Sequence, residues 1–205
     1  MSKVIVNCLP LTGEERRWHG IGRALSVRGS TVLVVGTGDI GSHFASICKA
    51  MGANTLGVRR DPTRTAEGID RMYGFDMLDS LLPRADVVAL SVPAADDTYH
   101  LMDARRFSLL KSTAVLINAG RGTAVDALAL DRALSEDQLH GAAIDVTDPE
   151  PLPVGSPLWN EPHCLITPHV AGGNHLEVTE RRIIDIALEN VRRYVAGEPL
   201  TNRRR

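Results

Sequence analysis

Three glycines at fixed spacing, Gly36-Thr37-Gly38-Asp39-Ile40-Gly41, close an uninterrupted apolar run, Thr31-Val32-Leu33-Val34-Val35, and open a stretch of helical periodicity over 40–51. Few folds accommodate that order of strand, glycine turn and helix. Gly36 permits a tight turn, Gly38 lets the backbone approach a bulky group, and Gly41 lets the helix lie close on the strand. A helix start offers free N–H groups and the positive end of a dipole, which suits an anion. A bare G-x-G-x-x-G occurs in many turns. Placed between a strand and a helix, it reads as a dinucleotide fingerprint with a pyrophosphate at the helix N-terminus.

The remaining chain keeps the same rhythm. Apolar runs at 55–58, 86–91, 114–118, 142–146 and 164–167 are rich in Val, Leu and Ile, as parallel strands buried on both faces must be. Helical patterns at 78–82, 104–110 and 127–134 lie between them. A longer pattern over 176–195 ends at Gly197, a suitable helix stop. Such alternation predicts an α/β fold, a doubly wound and mostly parallel sheet of Rossmann type, over residues 30–175. Residues 176–205 form a C-terminal helix and tail. Residues 1–29 stand outside the rhythm, with one strand at 3–9 and a leading helix at 14–25.

The chain has 205 residues, a net charge of -2 and 43% hydrophobic residues, which describes an ordinary globular α/β protein and no nucleic-acid binder. The basic tail Asn202-Arg203-Arg204-Arg205 is too short to be more than a solvated end. Cys8, Cys48 and Cys164 are odd in number and share no paired spacing, so reduced thiols and a cytoplasmic location are expected, with Cys48 in the core. No apolar run reaches the roughly 18 residues of a membrane span. His19, His43, His100, His140, His163 and His175 have no ligand spacing, so no metal site is expected.

Dinucleotide sites that take NAD carry an acidic residue for the ribose at the end of the second strand. Here that strand ends at Val58, and Arg59-Arg60 follow. Arginines at this place suit a 2′-phosphate, which favours NADP. The alternative is a solvated surface pair ahead of the turn Asp61-Pro62. Asp61 turned back toward the ribose would leave NAD possible.

Three further segments complete the pattern. They are Asn118-Ala119-Gly120-Arg121-Gly122-Thr123-Ala124-Val125-Asp126, Asp145-Val146-Thr147-Asp148-Pro149-Glu150-Pro151-Leu152 and Thr167-Pro168-His169-Val170-Ala171-Gly172. In order and spacing, from about residue 15 to residue 200, the chain resembles the D-isomer-specific 2-hydroxyacid dehydrogenases. Their residue types suit reduction of a 2-keto acid. A forked guanidinium matches a carboxylate, an imidazole exchanges a proton near neutral pH, and a carboxylate orients that imidazole. The resemblance assigns these roles to Arg121, His169 and Glu150 in turn. Taken singly, each has an ordinary alternative: a surface ion-pair partner, a satisfied histidine after a proline, a solvated loop acid.

The resemblance also implies cofactor contacts. Asp39 and Ile40 offer backbone N–H groups to the phosphates beside Gly36, Gly38 and Gly41. Asp145 accepts from the nicotinamide carboxamide, and Asn118 and Ala119 lie beside that ring. Val92, Pro93 and Thr98 flank the adenosine, while Arg121, His169 and Gly172 also border the cofactor. Trp18 is a packing residue between domains or subunits, and a homodimer is expected, paired through that region and the helix after Asp126.

Members of this family carry a substrate domain ahead of the cofactor domain, and it is expected to be largely absent from this chain. Two functions follow. The first is an oxidoreductase of glyoxylate/hydroxypyruvate-reductase type, moving hydride between NAD(P)H and a small 2-keto or 2-hydroxy acid. The second is a dinucleotide-binding, dimerisation or regulatory module without turnover.

Overall fold

The computed structural model describes residues 25–172 and 177–201. The expected strand at 3–9, the leading helix at 14–25 (beyond its last residue), Cys8, Trp18, His19, His175 and the arginine tail lie outside the described residues. The chain divides into two compact units, residues 1–168 and 169–205.

The first unit is built on a parallel sheet. Its strands are β1 (Thr31–Val35), β2 (Asn54–Val58), β3 (Arg71–Tyr73), β4 (Val87–Leu90), β5 (Val115–Asn118), β6 (Gly141–Ile144) and β7 (Cys164–Ile166). They lie in the order β3-β2-β1-β4-β5-β6-β7, every neighbouring pair parallel. Helices α1 (Asp39–Ala50), α2 (Leu78–Leu81), α3 (Ala104–Phe107) and α4 (Ala127–Ser135) connect them.

Strand β1 shows why the sheet forms. Successive side chains alternate faces, so Leu33 and Val35 enter one core and Val32 and Val34 the other. All four are buried, each stabilising the fold by about 1.5–3 kcal/mol relative to exposure. The α1 residues Ala45 and Cys48 close the smaller core. The α4 residues Ala129, Leu130, Ala133 and Leu134 close the larger one. Helix α4 starts where Asp126 accepts hydrogen bonds from the Leu128 and Ala129 N–H groups at 3.0 and 3.1 Å. Asp103 caps α3 in the same way through Arg106 N–H at 2.8 Å.

The second unit contains α5 (Glu177–Ala196). It stops at Gly197, whose φ of 71° only glycine adopts cheaply. Asn190 then ties the tail by accepting from Thr201 N–H at 2.8 Å.

Candidate dinucleotide and substrate site

Strands β2 and β4 flank β1, so the connections run outward to opposite sides and leave a crevice at the carboxyl end of β1. The glycine turn sits there. Gly36 has a φ of 92°, and its N–H donates to Val58 O at 2.9 Å. A Cβ on Gly36 would stand 2.7 Å from Ser91 O, and one on Gly41 would run into Gly36 O and the Ser91 hydroxyl. The Ser91 hydroxyl in turn donates to Gly36 O. Both glycines are therefore demanded by the protein's own packing.

Gly38 differs. Its φ of -78° suits any residue, and a Cβ there would meet nothing within 4 Å. Neither backbone nor packing requires glycine at this place. What would require it is a group lying against the turn, which is what a pyrophosphate at the start of α1 does. The cradle fits a dinucleotide.

A cleft of about 290 Å³ opens over this point. Gly36, Thr37 and Gly38 form its floor, and Ser91, Val92, Pro93 and Thr98 one wall. Arg59, Arg60, Asp61, Arg64 and Phe75 form the other. Thr98 is buried and donates to Pro93 O at 2.7 Å, which fixes the wall's shape. Among the cations, Arg60 is forked onto Asp97, with Nε and Nη2 at 2.8 and 2.6 Å from the two carboxylate oxygens. Hydrogen bonds from Thr63 N–H and Oγ hold Asp61 in its turn and keep its carboxyl below the usual range. Among the described residues, Arg59 and Arg64 make no ion pair.

On the far side of β4 the loops after β5 and β6 carry the remaining candidates. Asn118 is buried, donates from Nδ2 to Arg121 O at 3.0 Å and accepts from Gly120 N–H at 3.1 Å. That side chain shapes the loop bearing Arg121, while Ala119 N–H donates to Leu90 O at 3.2 Å. Arg121 is exposed, with Nη1 2.7 Å from Gly120 O. A Cβ on Gly122 would collide with Thr147 O, so the β5 and β6 loops are in close contact. Asp145 is nearly buried and accepts from the Thr167 hydroxyl at 2.5 Å. Glu150 is an exposed residue of the β6 loop. His169, with a φ of 54°, opens the second unit, which also holds the exposed Gly172. Asp39 and Ile40 start α1 and are exposed.

Arg64, Phe75, Ser91 and Asp97 belong to the cleft or its rim but carry no motif, and Thr37 is there as an unassigned position of the glycine turn. Arg64 had one usable signal, its place at the end of a short turn after Arg59. Among the described residues no group of three or more His, Cys, Asp or Glu is placed to hold a metal ion.

A glycine turn under a helix start, at the switch point of a doubly wound parallel sheet, defines a Rossmann-type dinucleotide-binding domain. The chain belongs to the D-isomer specific 2-hydroxyacid dehydrogenases, whose NAD binding domain its residues 11–171 match. It is 33% identical over 185 residues to glyoxylate reductase of Korarchaeum cryptofilum, covering 88% of this chain and 54% of that protein. To glyoxylate/hydroxypyruvate reductase B of Citrobacter koseri it is 39% identical over 161 residues, 77% of this chain and 48% of that one. A solved D-isomer specific 2-hydroxyacid dehydrogenase from Xanthobacter autotrophicus, in complex with NADPH and MES, superposes with a TM-score of 0.80 at 34% identity. That superposition covers 95% of this chain and 78% of the other. The chain thus spans about half the length of the curated relatives it matches.

Proposed function

We propose that this chain carries the cofactor side and the proton-transfer group of an NAD(P)H-dependent reductase of small 2-keto acids. It is D-specific, of glyoxylate/hydroxypyruvate type, and prefers NADP to NAD. The carrying observation is the cleft itself. Gly38, which the protein's own packing leaves open, lies on one side; Arg59 and Arg60 follow the end of β2, and Arg64 lines the same wall. The names of the glyoxylate reductase relatives and the NADPH in the Xanthobacter structure support it.

A reduced nicotinamide, when bound, would supply hydride chemistry at the carbonyl carbon. Arg121 grips the substrate carboxylate through its fork. His169 gives a proton to the carbonyl oxygen, and takes it back from the hydroxyl in the reverse direction. The family resemblance gives Glu150 the part of orienting that imidazole. Asp145, steadied by Thr167, would accept a hydrogen bond from the carboxamide of a bound nicotinamide. The backbone N–H groups of Asp39 and Ile40 would hold the phosphates, with Asn118, Ala119, Val92, Pro93 and Thr98 as walls, to which the family resemblance adds Gly172. The reading extends to a homodimer.

The test is oxidation of NADPH followed by absorbance against a panel of 2-keto acids. The expected result is turnover with at least one small 2-keto acid. His169→Ala should lower kcat about 10²- to 10⁴-fold while NADPH affinity changes little. Tight NADPH binding with no turnover across the panel would replace this reading by that of a binding module.

A further inference from the structure

Resting on the NADP reading above, we infer that Asp97 sets the cofactor preference of this cleft. It does so by holding Arg60 away from the adenosine end, leaving a 2′-phosphate to Arg59 and Arg64. Three arginines line the same wall, and among the described residues only Arg60 has a carboxylate partner.

The pair spans two loops. Arg60 lies after β2, and Asp97 in the short turn Asp96–Thr98 after β4. Strand β1 lies between them, so the loops start roughly 10 Å apart, two strand spacings. The Arg60 side chain, though it lines the cleft, therefore bridges the two loops on either side of β1. Both guanidinium bonds are short, and a planar fork on a carboxylate is held in orientation as well as distance. With the side chains 63% and 53% exposed, the bridge adds little to stability. Its consequence is the location of a charge.

The two other arginines are arranged differently. Arg59 N–H is anchored to Tyr73 O at 3.0 Å, and its Nη1 lies 3.5 Å from Arg64 O. Both cations therefore belong to the turn that Asp61 organises through Thr63. Counting that turn, Arg59 and Arg64 against Asp61 leave one net positive charge, and the Arg60–Asp97 pair adds none. A 2′-phosphate is attracted, yet an unphosphorylated ribose is not strongly disfavoured. Asp97 thus acts as a positioning residue that limits the preference for the phosphorylated cofactor.

The experiment is fluorescence titration of NADPH and NADH on the 205-residue chain and on five variants. Arg59→Ala and Arg64→Ala should each cut the NADPH-to-NADH affinity ratio about tenfold or more, the lower end for a charge-assisted contact. Arg60→Ala should leave that ratio within about twofold. Asp97→Asn should raise it about three- to fivefold, because freeing the guanidinium for the phosphate site returns no more than an exposed pair is worth. The rise should vanish in the Asp97→Asn/Arg60→Ala double variant, an outcome a mere scaffold role cannot give. If Arg60→Ala loses the preference as Arg59→Ala does, or Asp97→Asn leaves the ratio unchanged, the inference is overturned while the NADP reading stands. A parent ratio near one that Arg59→Ala does not move overturns both.

Discussion

Asp70 illustrates how much one side chain can connect. Its carboxylate accepts from the N–H of the buried Thr55 on β2 at 2.8 Å and meets Lys49, in the last turn of α1, at 2.7 Å. Lys49 and Thr55 together hold its pKa down at about 2, against an ordinary 3.8. A carboxyl whose folded pKa lies below its unfolded value stabilises the fold above the unfolded value, near pH 4, and that contribution fades as pH falls toward 2. The side chain is 39% exposed, so solvent screening limits the effect. Asp70→Asn should cost about 1 kcal/mol at pH 7 and almost nothing near pH 2. Urea unfolding at both pH values measures this, and an equal loss at both would show that the charge is irrelevant.

Among the elements, the glycine turn separates packing from ligand demand. Gly41→Ala puts a methyl group against Gly36 O and the Ser91 hydroxyl, which pushes α1 off β1. A loss of about 1–3 kcal/mol in stability is expected, the usual cost of overpacking. Gly38→Ala meets open space, so thermal unfolding should be unchanged while NADPH affinity falls at least tenfold. A Gly38→Ala variant with full affinity would show that nothing lies against that position. Similar reasoning explains which elements were legible in the sequence. Runs such as Thr31–Val35 announce themselves because both faces are buried. Arg71–Tyr73 does not, since it is a three-residue edge strand with an exposed first residue and is held by its pairing with Leu56–Val58. The helical pattern at 104–110 continues past Phe107, yet α3 stops there and Leu109 and Leu110 turn through bonds to residues three back. Around the cleft, Gly36, Gly38, Arg59, Arg60, Val92 and Pro93 were readable because each lies just past a strand end. Phe75 and Asp97 were not, because Phe75 follows β3 and Asp97 follows β4, and what unites them is the order β3-β2-β1-β4, which no local window contains.

At the scale of the molecule, helix α4 and the turn Pro157–Asn160 adjoin on the first unit. Leu128 on the one is 69% exposed and Trp159 on the other 53%. Apolar side chains so placed support the homodimer. Light scattering at micromolar concentration should give about twice the chain mass of 22.2 kDa, and Leu128→Asp should return it to the monomer. A parent protein of single-chain mass would end that reading. The sheet order has another consequence, for the protein's birth. Val32 pairs with Thr55 on one side and with Val87 on the other. As the ribosome releases the chain, β1, α1 and β2 can assemble early, whereas the opposite wall must wait for β4. Until then the nucleotide has half a cradle and β1 has one naked edge. A ligand that prefers the completed cradle to the half-built one favours the docking of β4.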